Sequence, residues 1–89
     1  MRHKDEKFIF LYSSSYHGYY IEDLLRRNGI ANSLRKAPRA LGKSCNTAIY
    51  IQELDFEKAV HVIDQTKIKP QAIYEIMVTD KLDIYKKLV

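Results

Sequence analysis

Five consecutive apolar or aromatic residues, Phe8-Ile9-Phe10-Leu11-Tyr12, stand between a polar start and a serine cluster, and they restrict the possible folds more than any other stretch. The run has no polar side and is too short for a core helix, so residues 7–12 read as a strand that is apolar on both faces. Such a strand belongs in the middle of a sheet. The rest of the chain must then supply its neighbours, and with 89 residues it does so within one small domain. Hydrophobic residues make up 46% and charged residues 29%, a globular balance. In a chain this short the ten aromatics, seven Tyr and three Phe, must fill much of the core.

Ser13-Ser14-Ser15 offers hydroxyl caps for a helix over 15–28, with His17, Tyr20, Ile21, Leu24, Leu25 and Asn28 as its inner stripe and Gly29 as its stop. A second strand follows over 30–36, and Ala37-Pro38 opens a loop that runs to Cys45. Residues 46–51 form a third strand. Asp55 caps a second helix reaching about Lys67, in which Phe56, Ala59, Val60 and Ile63 share a face. Ala72 to Val78 forms a fourth strand. Thr79 then caps a short terminal helix whose Leu82, Tyr85, Leu88 and Val89 make an apolar stripe suited to the sheet or to another subunit.

The resulting order, βαββαβ, predicts an α+β ferredoxin-like fold. It has a four-stranded antiparallel sheet, two helices on one face, and a C-terminal helical extension at 79–89 added to a domain at 1–78. In that topology the end of the first strand, the start of the first helix and the loop between strands two and three lie at one end of the sheet. Cys45 is therefore expected near Ser13, Ser14 and Ser15.

From Leu24 to Gln52 there is no acidic residue, whereas Arg26, Arg27, Arg35, Lys36, Arg39 and Lys43 are all basic, and Cys45 follows directly. Nearby cations or a helix N-terminus favour a thiolate, which attacks sulfur or selenium electrophiles. The alternative for Cys45 is a small buried hydrophobe, and for the basic run a solvated face. As the single cysteine it excludes an internal disulfide and a multi-cysteine zinc site, and His3, His17 and His61 lack metal-ligand spacing. No metal or cofactor is expected. No apolar run is long enough to span a bilayer or to serve as a signal core, so the chain is expected in the cytosol.

Pro38-Arg39-Ala40-Leu41-x-x-Ser44-Cys45-x-x-Ala48, followed by Ala72-Ile73-Tyr74-Glu75, resembles the bacterial and archaeal selenium/sulfur carrier-like family over about residues 7–76. The resemblance implies that Cys45 is the carrier thiol, with Pro38, Arg39 and Ser44 as its loop companions. It departs from the family at Asn46, where Gly is usual, and at Lys43, where a small polar residue is usual. Asn46 tolerates a left-handed turn, and Lys43 adds charge.

Further candidates surround this loop. His17 is either a hydrogen-bond partner of the thiolate or a capping or core histidine. His61 is expected at the surface. Tyr16, Tyr19 and Tyr20 either line a small pocket or pack as core aromatics. The leading function is a non-catalytic carrier holding a persulfide or selenopersulfide on Cys45, which needs sulfur or selenium donor and acceptor proteins. A nucleic-acid module is disfavoured because residues 46–51 lack the base-stacking pattern. A small-ligand regulatory homodimer suits the fold but has no visible binding motif.

Overall fold

A computed structural model describes residues 6–41, 47–79 and 82–89. The elements run β1 (Glu6–Tyr12), α1 (Ser15–Arg27), β2 (Asn32–Lys36), a 3-10 turn (Arg39–Leu41), β3 (Thr47–Gln52), a second 3-10 turn (Glu53–Asp55), α2 (Phe56–Asp64), β4 (Ala72–Val78) and β5 (Asp83–Lys87). The sheet order is β2-β3-β1-β4-β5, and every pairing is antiparallel. The first four strands and two helices have the ferredoxin-like arrangement, and β5 extends it to five strands. No described helix is long and apolar enough to cross a membrane.

The apolar run of β1 is central, with β3 on one side and β4 on the other. Its alternate residues enter two separate cores. Phe10 and Tyr12 join Ile49 and Ile51 of β3, Ile21 and Leu25 of α1, and Ala59, Val62 and Ile63 of α2. Ile9 and Leu11 join Ala48, Tyr50, Ala72 and Ile76 on the opposite face, against which Ala37, Leu41, Tyr74 and Tyr85 pack. Phe56 at the start of α2 stacks on Phe8 at 4.0 Å between ring centroids. The Tyr12 phenol donates to the Ile68 carbonyl at 3.4 Å, and its burial raises its pKa well above the ordinary tyrosine value.

Local signals set the ends of α1. The Ser14 hydroxyl accepts from the His17 N–H at 3.3 Å. Gly29, at φ 74°, turns the chain so that its N–H bonds the Arg26 carbonyl and the Ile30 N–H bonds the Leu25 carbonyl, each at 3.0 Å. The inner face, however, is rotated from the expected stripe. Gly18, Ile21 and Leu25 are buried, whereas His17 is exposed and Tyr20 is 50% exposed. Gly18 sets this phase because it lies against Thr47. A β-carbon on Gly18 would overlap the Thr47 methyl and come within 3.3 Å of Thr47 Cβ.

Two further expectations are corrected. Asp55 stands at the N-cap position of α2 but makes no side-chain cap bond, and α2 ends at Asp64, where Thr66 Oγ1 donates to the Ile63 carbonyl at 2.7 Å. The C-terminal segment is a strand, not a helix. The Thr79 N–H bonds the Leu82 carbonyl at 3.1 Å and closes a hairpin, after which 83–87 pairs along β4. A short isolated helix forms few bonds for the cost of its nucleus, while a hairpin gains ladder bonds to an otherwise open edge. Of the expected stripe only Tyr85 packs on the sheet; Leu82, Leu88 and Val89 remain exposed.

Gly18→Ala is expected to destabilise the fold by about 1–2 kcal/mol despite alanine's better helix propensity, because the added methyl overpacks the contact with Thr47. Thr47→Ser, which removes the opposing methyl, should restore most of the loss in a double-mutant cycle measured by urea unfolding. Truncation after Val78 should lower the urea midpoint, since it exposes the β4 edge and removes Tyr85 from the second core.

Candidate functional site

At one end of the sheet β1 finishes, α1 begins, β2 finishes and β3 begins. Thr47 is the focus of this end. It is 3% exposed, pairs with Tyr12 on one side and Lys36 on the other, and lies beneath Gly18 in the first turns of α1. Cys45 precedes Thr47 by two residues in the sequence. Lys43, Ser44, Cys45 and Asn46 lie outside the described residues.

The first half of the loop takes a definite course. Ala37 and Leu41 pack on the sheet face opposite the helices, against the cluster that contains Ile9, Leu11, Ala48 and Ala72. Pro38 is half-buried, and its carbonyl accepts from the Leu41 N–H at 3.0 Å to close the 3-10 turn. Arg39 is exposed within that turn. Of the expected neighbours on the helix side, Ser14 caps α1, Ser15 is the exposed first residue of the helix, and His17 is exposed with its ring 6.0 Å from that of Tyr16. His17 is therefore not part of the inner face. His61 is exposed on α2, as expected, with Nε2 3.2 Å from Gln65 Nε2.

The basic stretch, continuous in sequence, divides in space. Arg26 bonds Glu22 at 3.0 Å and Asp23 at 2.6 Å, and Arg27 bonds Asp23 at 2.9 Å, all in the last turns of α1, at the far end from Thr47. Arg35 pairs with Glu6, which is 5% exposed, and its guanidinium lies 3.8 Å from the centroid of the Tyr50 ring. Three of the six cations thus have carboxylate partners from outside the acid-free stretch. Among the described residues, Lys36 and Arg39 are left at the loop end. A cavity of about 110 Å³ lined by Glu6, Ala31, Asn32, Ser33, Tyr50 and Gln52 lies at the opposite end of the sheet.

Tyr16, Tyr19 and Tyr20 neither pack in the core nor line that cavity. They are 77%, 62% and 50% exposed on the outer face of the first turns of α1. Phasing the helix on Gly18 rather than on its bulkiest residues would have placed them outside.

Residues 7–75 match the model of the family described as "Putative Se/S carrier protein-like". No curated protein and no solved structure matches the chain.

Arg35→Met keeps an aliphatic cover over Tyr50 but removes the cation from the buried Glu6 carboxylate, and should cost about 2–3 kcal/mol. Combining it with Glu6→Gln should recover much of that loss, as read from urea midpoints. A negligible effect of Arg35→Met alone would show that the pair contributes little.

Proposed function

Because the chain belongs to the Se/S carrier protein-like family, we propose that it carries one sulfur or selenium atom on Cys45 and delivers it to a partner enzyme. The Cys45 thiolate attacks the outer sulfur of a donor persulfide. The donor's S–S bond breaks and its own thiolate leaves with the bonding pair, so Cys45 holds S–SH with the proton on the transferred sulfur. An acceptor thiolate repeats the exchange and returns Cys45 as thiolate. The transferred sulfur keeps its oxidation state, and neither step requires an outside oxidant or reductant. Selenium follows the same course as a selenopersulfide.

The observation that carries this reading, beside the family, is the convergence at Thr47. The strand that follows Cys45 begins against the N-terminal turns of α1, whose dipole favours an anion, and next to Lys36, with Arg39 earlier in the same loop. Pro38, Lys43, Ser44 and Asn46 are proposed as the loop frame of the thiol, and Ser14 and Ser15 as its neighbours from the helix.

The other readings have less support. Ferredoxin-like RNA modules stack bases on the sheet face away from the helices. Here that face buries Ile9, Leu11, Ala48 and Ile76 and covers Tyr50 with Arg35. The cavity at the far end is small beside the roughly 300–1,000 Å³ of ordinary ligand sites. For a homodimer, the surface best suited is the exposed cross-strand pair Met77 and Ile84.

Intact-mass analysis of protein purified without reductant should show a gain of one sulfur or selenium atom, absent in Cys45→Ser. Failure of folded protein to gain it from a charged cysteine desulfurase would refute the carrier. Alkylation of Cys45 near pH 6 should slow several-fold in Lys36→Gln with Arg39→Gln and remain unchanged in Arg26→Gln, whose charge is already paired and distant. Salt-sensitive RNA retention indifferent to Cys45→Ser would favour the nucleic-acid reading instead.

A further inference from the structure

From the exposed tyrosines of α1 we infer a docking surface for the protein that donates the persulfide, an inference that rests on the carrier reading above. Tyr19 and Tyr20 follow Tyr16 by three and four residues, so both lie on the helix face that Tyr16 occupies, and all three are exposed. None of the three belongs to either core cluster. The molecule's other tyrosines are treated differently: Tyr12 and Tyr50 are buried, and Tyr74 and Tyr85 are half-buried against the sheet. Aromatic residues are also weaker helix formers than the Lys, Glu or Gln usual at solvated helix positions, so helix stability does not account for them.

Their position links them to transfer. Gly18, between Tyr16 and Tyr19, touches Thr47 on the inner side of the same turns, so the tyrosines lie on the outside of the element that flanks the start of β3. Because Cys45 precedes Thr47 by two residues in the chain, a donor that brings its persulfide to Cys45 would cover surface around this end. Tyrosine is enriched at such contacts because its ring is rigid and apolar while its hydroxyl stays hydrogen-bonded to water or partner. Lys36 and Arg39, without carboxylate partners among the described residues, add positive charge at the same end. The donor that fits is a protein with an apolar or π-accepting patch beside its persulfide loop and carboxylates at the rim. The contact is transient, because the carrier must leave loaded.

The test compares two donors with one variant, Tyr16→Gln, Tyr19→Gln and Tyr20→Gln combined. Its helix should remain intact by circular dichroism, since Gln is the better helix former. With glutathione persulfide as donor, loading of Cys45 should proceed at the wild-type rate. With a cysteine desulfurase carrying its own persulfide, half-maximal loading should need roughly tenfold more donor, the loss expected when interface aromatics are removed. Wild-type behaviour with both donors would overturn the docking surface and leave the carrier reading intact. Equal slowing with both donors would also overturn it, by placing the tyrosines' effect on the loop rather than on a partner. If wild-type protein loads from neither donor, the carrier reading fails and the docking surface with it.

Discussion

Strands β1 and β3 are apolar on both sides, and the sheet is stable only when both of its faces are closed. The helices close one face, as their amphipathic patterns require. Closing the other takes several unrelated pieces: the half-buried Ala37 and Leu41, the guanidinium of Arg35 over Tyr50, and the ring of Tyr85 from the added strand. At about 25 cal/mol per Å² of buried apolar surface, leaving Ile9, Leu11 and Ile76 wet would cost several kcal/mol, a large part of what holds a small domain together. The loop that leads toward Cys45 is therefore part of the core's closure at its Leu41 end and part of the sheet ladder at its Thr47 end.

The described residues on either side of the 42–46 segment are thus both anchored, but in different ways. Thr47 is fixed by pairings to two strands and by the close approach of α1 through Gly18. Leu41 is held by side-chain packing and a single 3-10 turn. The more rigid anchor is the one nearer the cysteine in sequence, which under the proposed carrier role would favour reproducible presentation of the loaded thiol.

What could be read in the sequence was what depends on neighbouring residues. Ser14 and Gly29 set α1 because caps act within one turn, and the β4 boundaries followed from Pro70 and the run that succeeds it. The phase of α1 was misread because Gly18, a residue without a side chain, determines it through a strand that lies 29 positions away, at Thr47. The same non-locality hid the neutralisation of Arg35, whose partner Glu6 comes from β1. The C-terminal residues fitted a helical stripe, yet the edge of β4, which only the assembled sheet presents, took them as a strand. The position of Cys45 beside the serines was inferred from topology, and it lies outside the described residues.

The added strand also determines how the molecule behaves in crowded solution. With β5 outermost beyond β4, the edge there carries Lys86 and Lys87 in succession, and successive residues of a strand point to opposite faces. One ammonium thus guards each side of the border at which another sheet could attach, and both would have to shed water and approach like charges for growth to occur. This colloidal barrier is electrostatic. It weakens as added salt shortens the Debye length, about 10 Å at 0.1 M, so the protein's resistance to edgewise assembly depends on its medium as well as on its fold.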